Sequence, residues 1–331
     1  MAKSCDVAAM GNAIVDVLAA VNDGFLRNHG IARDVMTLID EKRAAELYGA
    51  FPAERREVAG GSAANTMAGL ASFGGRGTFI GKVRDDRLGH AFADSMRALG
   101  IHFPTAFATT GAATACCLIA VAPDGQRSMN TFLGACRELT EDDIDEKNIA
   151  DAEILYIEGY LWDVDAAKRA SLKAFTAARA AGGRTAFSLS DPFCVERFRA
   201  EFLELLKGDI DILFANADEA KALFETENFD TAIARLKDWG GIAAVTRGKD
   251  GCVVVHGDKV QAIPAAPVAK VIDTTGAGDA FAAGFLFGLT RGKPLSACGR
   301  MGALASSEII AHFGARPEMP LAKLAAKAGL A

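Results

Sequence analysis

Short apolar runs alternate with helical patterns along nearly all of this chain, and that alternation limits the possible folds more than any other feature. Apolar runs at 5–10, 14–21, 76–83, 153–157, 184–189, 210–214, 242–247 and 251–255 read as strands. The stretches 62–73, 88–99, 165–181, 196–206, 217–225, 229–239, 277–290, 296–312 and 321–328 read as helices. Strand followed by helix, repeated, predicts an α/β fold of three layers, α/β/α, with a mostly parallel central sheet covered on both faces. The chain has 331 residues and is 50% hydrophobic, enough for one large core. No fixed-period repeat or low-complexity linker divides it, so 1–331 reads as one domain.

Two segments break the alternation. Residues 14–39 and 105–133 hold short strands without covering helices. Ala113–Ala122, then Pro123-Asp124-Gly125, then Arg127–Leu133 reads as a hairpin turning at Asp-Gly. Together these pieces suit a small β-sheet standing off the main domain, either a lid or an ordinary edge hairpin.

Charge and cysteine content exclude several classes. The formal charge is −6 and no run of five basic residues occurs, which argues against nucleic acid or an anionic membrane as partner. Seven cysteines without C-x-x-C spacing fit neither a disulfide framework nor a zinc site, and read as reduced thiols in a cytoplasmic protein. Asp6, Asn12 and Asp16 interrupt the apolar N-terminus, unlike a signal peptide. No stretch approaches the roughly 20 apolar residues that span a bilayer.

The string with most chemistry in it is Asp273-Thr274-Thr275-Gly276-Ala277-Gly278-Asp279, opening an apolar helix. Small side chains let an anion approach the amides at a helix start, where the helix dipole also favours negative charge. Phosphoryl transfer needs such donors, because charge spreads over the equatorial oxygens as the bond breaks. Asp279 falls in the first turn, where a base could take the proton of an attacking hydroxyl. A Gly-rich turn with a capping acid is the alternative.

This string resembles the C-terminal signature of the ribokinase-like (PfkB) carbohydrate kinase family. Gly60-Gly61-Ser62-Ala63-Ala64-Asn65, with Gly81 and Gly89 downstream, looks like the family's N-terminal signature. The resemblance covers essentially the whole chain. It implies an ATP-dependent kinase acting on an alcohol, with Asp279 as base and Gly276, Ala277 and Gly278 as anion hole. Gly60, Gly61 and Asn65 would then bind the acceptor, Asn65 offering both donor and acceptor to hydroxyls. Asn12 and Asp16, from Gly11-Asn12-Ala13-Ile14-Val15-Asp16, match the family's acceptor-gripping segment, and Arg127 matches a lid arginine brought to the transferring phosphate.

Asn216-Ala217-Asp218-Glu219 matches the family's N-x-x-E motif, which orders Mg²⁺ largely through water; it also reads as a capping box. Thr246, Gly248 and Gly251 resemble the turn along the ATP site, and Ala303 and Ser307 fall on the helix beside the adenine. Asp273 and Thr275 match positions that hold a monovalent cation such as K⁺ in many relatives; capping the next helix is the alternative.

Ser190-Asp191-Pro192-Phe193 resembles the adenosine kinase branch, in which the Phe stacks on the base. Tyr156-Ile157-Glu158-Gly159-Tyr160-Leu161-Trp162 points the same way, although Glu158 resembles the position where ribokinases set an acid on the sugar. Adenosine is the expected acceptor and a free sugar the runner-up. A non-catalytic nucleoside-binding protein would show a broken base or anion hole, and both are intact here. A Rossmann dehydrogenase would need G-x-G-x-x-G after the first strand, where Gly11 is followed by Asn12-Ala13. The chain is expected to act as a monomer or homodimer.

Overall fold

The computed structural model describes residues 3–330. Thirteen strands run in chain order: β1 Cys5–Met10, β2 Ile14–Ala20, β3 Met36–Leu38, β4 Arg56–Gly60, β5 Gly77–Ile80, β6 Ala115–Val121, β7 Arg127–Phe132, β8 Ala152–Glu158, β9 Arg184–Ser188, β10 Ile212–Asn216, β11 Ile242–Thr246, β12 Cys252–His256 and β13 Lys259–Ile263. The α-helices are α1 Asp23–Asn28, α2 Glu41–Ala50, α3 Ser62–Ser72, α4 Arg87–Ala98, α5 Glu146–Ala150, α6 Asp165–Ala180, α7 Pro192–Leu205, α8 Ala217–Leu223, α9 Phe229–Trp239, α10 Ala277–Thr290, α11 Leu295–Ile309 and α12 Leu321–Lys327.

The large sheet has the order β13-β12-β11-β10-β9-β8-β1-β5. Strands β11 to β5 in that order pair in parallel, while β12 and β13 add an antiparallel edge. Alternate residues feed opposite layers, as the pleat requires. Val7 and Ala9 of β1 pack with α3 and α10, whereas Ala8 and Met10 pack with α6 and its neighbours. This is the three-layer α/β/α arrangement expected from the strand–helix alternation.

The small sheet has the order β3-β7-β6-β2-β4. The β6–β7 hairpin is antiparallel, with Val121 opposite Arg127 across the Asp-Gly turn. Its pattern is also two-sided. Val15, Val17 and Ala19 of β2 are buried with α2 and α4, while Ile14, Asp16 and Leu18 are half-buried on the other face. That second face lines a cavity together with Asn216, Glu219 and residues 274–279. Two differences from the sequence reading stand out. Strand β4 and helix α2 belong to this unit but lie outside 14–39, because Arg56-Glu57 breaks the apolar run. Residues 105–114 add no strand to it, and Ala108 instead makes an isolated bridge to Arg84, beyond the end of β5. Strand β13 was also invisible in the sequence: as an edge it exposes Lys259 to Ala262.

The parallel strands carry several of the expected site residues at their C-terminal ends. Glu158 ends β8, Asn216 ends β10 and Thr246 ends β11. After β1 the chain passes through the small sheet to β5 on one side, then returns to β8 on the other. This change of direction opens a crevice, the usual ligand position in open α/β sheets.

Helix α10 is the central support of that crevice. Phe285 is fully buried, with its ring centroid 5.5 Å from Phe214 on the sheet and 6.0 Å from Phe281 one turn earlier. Phe285→Ala is expected to cost about 3–5 kcal/mol, read as a lower denaturant midpoint in equilibrium unfolding. A loss below about 1 kcal/mol would show that the α10–sheet contact carries little of the stability.

Candidate active site

Two cavities meet over the first turn of α10. One, about 540 Å³, runs along Thr246, Gly248, Gly251, Ala303 and Ser307. The other, about 630 Å³, lies between the large-sheet edge and the small sheet, and includes Asp16, Gly61, Asn65, Arg127 and Asp279. Thr274, Ala277 and Gly278 line both. A group entering from each side would therefore meet at the Gly-rich turn.

The turn is shaped by packing. Gly276 has φ +78°, and a Cβ there would stand 2.5 Å from the Ala315 Cβ. Only glycine suits both the left-handed backbone and that contact. Gly276 is the N-cap of α10 and no side chain caps the helix. The first amides of a helix have no carbonyl of their own helix to bond, so this start presents donors and the positive end of the dipole to both cavities.

Asp279 sits in that first turn. Its Oδ1 accepts from Ser62 Oγ at 2.7 Å and its Oδ2 from Asn65 Nδ2 at 3.3 Å. Burial pushes its carboxyl up to about 6, against the two hydrogen bonds that favour the charge. Ser62 went unassigned in the sequence reading although it stands inside the Gly60-Gly61-Ser62 string. The contact spans 217 positions of chain, and nothing local announces it.

Asp16 faces the same cavity from β2. A side chain at Gly60 would collide with its carboxylate, so that glycine makes room for it. Burial pushes Asp16 up to about 7, against the pull of Arg316 and Arg127. Arg316 lines the cavity and burial lowers its pKa to about 10. Its Nη1 donates to Ser95 Oγ at 3.0 Å. It was not among the residues expected to meet the acceptor.

Arg127 reaches from β7 to Asp273, Nη1 to Oδ2 at 2.8 Å. Asp273 also accepts from the Thr275 amide and hydroxyl and from the Gly314 amide. Burial works against its charge but these partners win, holding its carboxyl below the usual range. The carboxylate proposed to share a monovalent cation with Thr275 is thus filled by protein donors. Among the described residues no cluster of three acidic, His or Cys side chains forms a metal cage.

Asn216 and Glu219 form a capping box at the start of α8. Asn216 Oδ1 accepts from the Glu219 amide at 2.9 Å, and Glu219 Oε2 accepts from the Asn216 amide at 2.9 Å. Both also line the acceptor-side cavity, and burial pushes Glu219 up to about 7. Capping and facing the cavity are compatible in one residue.

Three expected acceptor ligands lie elsewhere. Phe193 is 75% exposed on the first turn of α7 and does not line the cavity. Asp191 explains why: it is the N-cap of α7, accepting from the Cys194 amide at 2.7 Å, and with Pro192 it starts the helix earlier than the apolar pattern shows. Tyr160 and Ser190 line the cavity there instead. Glu158 is fully buried, its carboxylate bonded to the amides of Asn12 and Ala63. Asn12 likewise serves through its backbone.

Comparison with known proteins places the chain in a family. The pfkB family carbohydrate kinase model matches residues 36–322, so the chain belongs to that family. It is an ATP-dependent kinase acting on an alcohol. Among solved structures, a "probable sugar kinase protein" from Rhizobium etli CFN 42 is 43% identical with TM-score 0.90, covering 99% of this chain and 100% of that one. The adenosine kinase from Sinorhizobium meliloti is 47% identical with TM-score 0.88, covering 98% and 99%. Adenosine kinase 2 of Arabidopsis thaliana is 27% identical over 340 residues, 94% of this chain and 95% of that protein.

The site's acids make a prediction for stability. Burial raises the carboxyls of Asp16, Glu158, Glu219 and Asp279 in the folded state above their ordinary values of 3.8 or 4.5. The folded state therefore binds more protons than the unfolded one between about pH 4 and 7. Their contribution is present below the unfolded pKa values and is lost as pH rises through 6 to 7. Glu57, lowered to about 2, loses its stabilising contribution only at more acidic pH. The Tm of the ligand-free enzyme should fall from pH 5.5 to pH 8; a steady rise over that range would contradict the burial of these charges.

Proposed function

We propose that the enzyme transfers the γ-phosphoryl group of ATP to the 5′-hydroxyl of adenosine, with Asp279 as base and the first turn of α10 as anion hole. The observation that carries this reading is the meeting of the two cavities over Ala277 and Gly278, with Asp279 lining the second cavity beside them. Thr246, Gly248, Gly251, Ala303 and Ser307 would hold the nucleotide in the first cavity, and the acceptor enters the second.

Asp16 and Asn65 would grip the ribose hydroxyls, with Gly60 and Gly61 letting the backbone close on the sugar. Ile14, Leu18, Val58, Ile119 and Met129 give the small-sheet face an apolar wall, closed opposite by Tyr160. A nucleobase uses such a wall; a free sugar, polar all round, leaves it without a partner. The adenosine kinase similarity over nearly the whole chain supports the same acceptor. One observation favours a free sugar as second reading: Phe193 stands outside the cavity, so the expected stacking partner for a purine is missing.

In the reaction the 5′-oxygen attacks the γ-phosphorus as its proton passes to Asp279. The new O–P bond forms, the bond to the β–γ bridging oxygen breaks, and ADP leaves. Ser62 and Asn65 orient the carboxylate, and the α10 amides take the charge on the equatorial oxygens. Arg127 adds positive charge above the turn. Mg²⁺ on the nucleotide would spread the charge of the leaving phosphates. Glu219 and Asn216 fit as holders of its water shell, since a buried carboxylate facing the cavity gains from a nearby cation. Asp273 does not fit a cation role, being filled by Arg127 and its other donors. The small sheet would act as a lid that excludes water from the transfer.

Two experiments test this. Asp279→Asn should leave the fold intact and lower kcat by roughly 10²- to 10⁴-fold, and in the wild type kcat should decline on acidification below about pH 6 as Asp279 takes a proton. Near-wild-type turnover of the folded variant would remove Asp279 from the base role. Across adenosine, inosine, ribose and fructose, kcat/KM should be highest for adenosine, and adenosine should slow hydrogen exchange in β2 and β6. A free sugar with the higher kcat/KM would move the enzyme to the sugar reading.

A further inference from the structure

Glu158 is a fully buried carboxylate that the transfer itself does not use. Its Oε1 accepts from the Asn12 amide at 2.8 Å and its Oε2 from the Ala63 amide at 2.8 Å. Ala63 lies in the first turn of α3, whose N-cap, Gly61, supplies no side-chain hydrogen bond. The cap of α3 therefore comes from another element, the end of β8. A side chain at Gly11 would run into the same carboxylate and stand 2.7 Å from the Ala63 Cβ, so the β1 end is shaped around this contact.

The helix capped in this way carries Ser62 and Asn65, and both donate to Asp279. We propose that Glu158 is a positioning residue for the base: it ties the start of α3 to the Asn12 turn and so holds Ser62 and Asn65 against Asp279, without touching the acceptor. The inference rests on Asp279 being the base. Glutamine is a poor substitute, because one of its two ends is a donor and would face an amide N–H.

The surroundings allow a clean test. Asp279 faces Glu158 from α10, Tyr156 from its own strand, and Tyr160, Cys136 and Cys194 from the neighbouring segments. Burial pushes both phenols and all these thiols upward, out of the neutral range. Within this cluster, Glu158 and Asp279 are the groups that change charge between pH 5 and 8. Glu158 titrates above Asp279 and is already largely neutral when Asp279 takes its proton, so removing the Glu158 charge alone would leave the Asp279 pKa in place. Releasing Ser62 and Asn65 would raise it, since two donors to the charged form are lost.

The full-length enzyme would be assayed as Glu158→Gln and Glu158→Ala, with folding checked by Tm and adenosine and ATP as substrates. For the folded variant, kcat should fall roughly ten- to hundredfold with KM for ATP unchanged, and the acid limb of kcat should move to higher pH. Ser62→Ala should cost less in the Glu158→Gln background than in the wild type, because the two act on one bond. Wild-type kcat and acid limb in folded Glu158→Gln, an acid limb moved to lower pH, or full additivity with Ser62→Ala would each overturn the proposal. A raised acceptor KM with unchanged kcat would do so too, by making Glu158 an acceptor ligand. If Asp279→Asn is inactive while Glu158→Gln is normal, this inference fails alone; an active Asp279→Asn fails the reading beneath it.

Discussion

A helix start that is to receive an anion must be left uncapped by its own protein, and the packing around α10 is organised by that requirement. Gly276 takes a left-handed turn against Ala315, no side chain reaches the first amides, and Phe285 and Phe281 anchor the helix to the sheet behind. The Ala277 amide turns back onto the Thr274 carbonyl at 3.2 Å, and an unbonded Gly278 amide is tolerable because two cavities open onto it. On the proposed reading the same feature fixes where transfer can occur, since the two cavities share only Thr274, Ala277 and Gly278.

Around the turn the protein surrounds several carboxylates closely enough to raise them. Asp16, Glu158, Glu219 and Asp279 are each raised by burial, and each is met by a different set of partners. Glu158 is used up by backbone amides and shapes the site, while Glu219 is tied to Asn216 and still lines the cavity. Asp16 keeps its carboxylate turned to the cavity, and Asp279 is held by two side chains from one helix. Environment separates these roles, as it does wherever like groups crowd into one site. Their desolvation costs stability, which the three apolar clusters offset.

What the sequence disclosed was what is contiguous in it. The seven residues ending at Asp279 form one turn and one helix start, so their arrangement follows from local rules. The parallel sheet was legible because strands buried on both faces read as apolar runs. The small sheet was legible only in part: β6 and β7 announce themselves by the Asp-Gly turn, but β4 carries Arg56 and Glu57 and blends into its surroundings. Contacts distant in sequence were hidden. Ser62 on Asp279 and Glu158 on two amides from separate elements leave no trace in spacing. Phe193 was misplaced for a local reason, the Asp191 cap, which starts α7 early and puts the ring on the outer side.

The central claim is geometric, and a crystal structure with adenosine and a non-hydrolysable ATP analogue tests it most directly. The account predicts the γ-phosphate over Gly276–Gly278, within hydrogen-bond reach of the α10 amides, and the 5′-oxygen of adenosine against the Asp279 carboxylate. Nucleotide phosphates away from the α10 start, or an acceptor hydroxyl with no line from Asp279 to the γ-phosphorus, would contradict it.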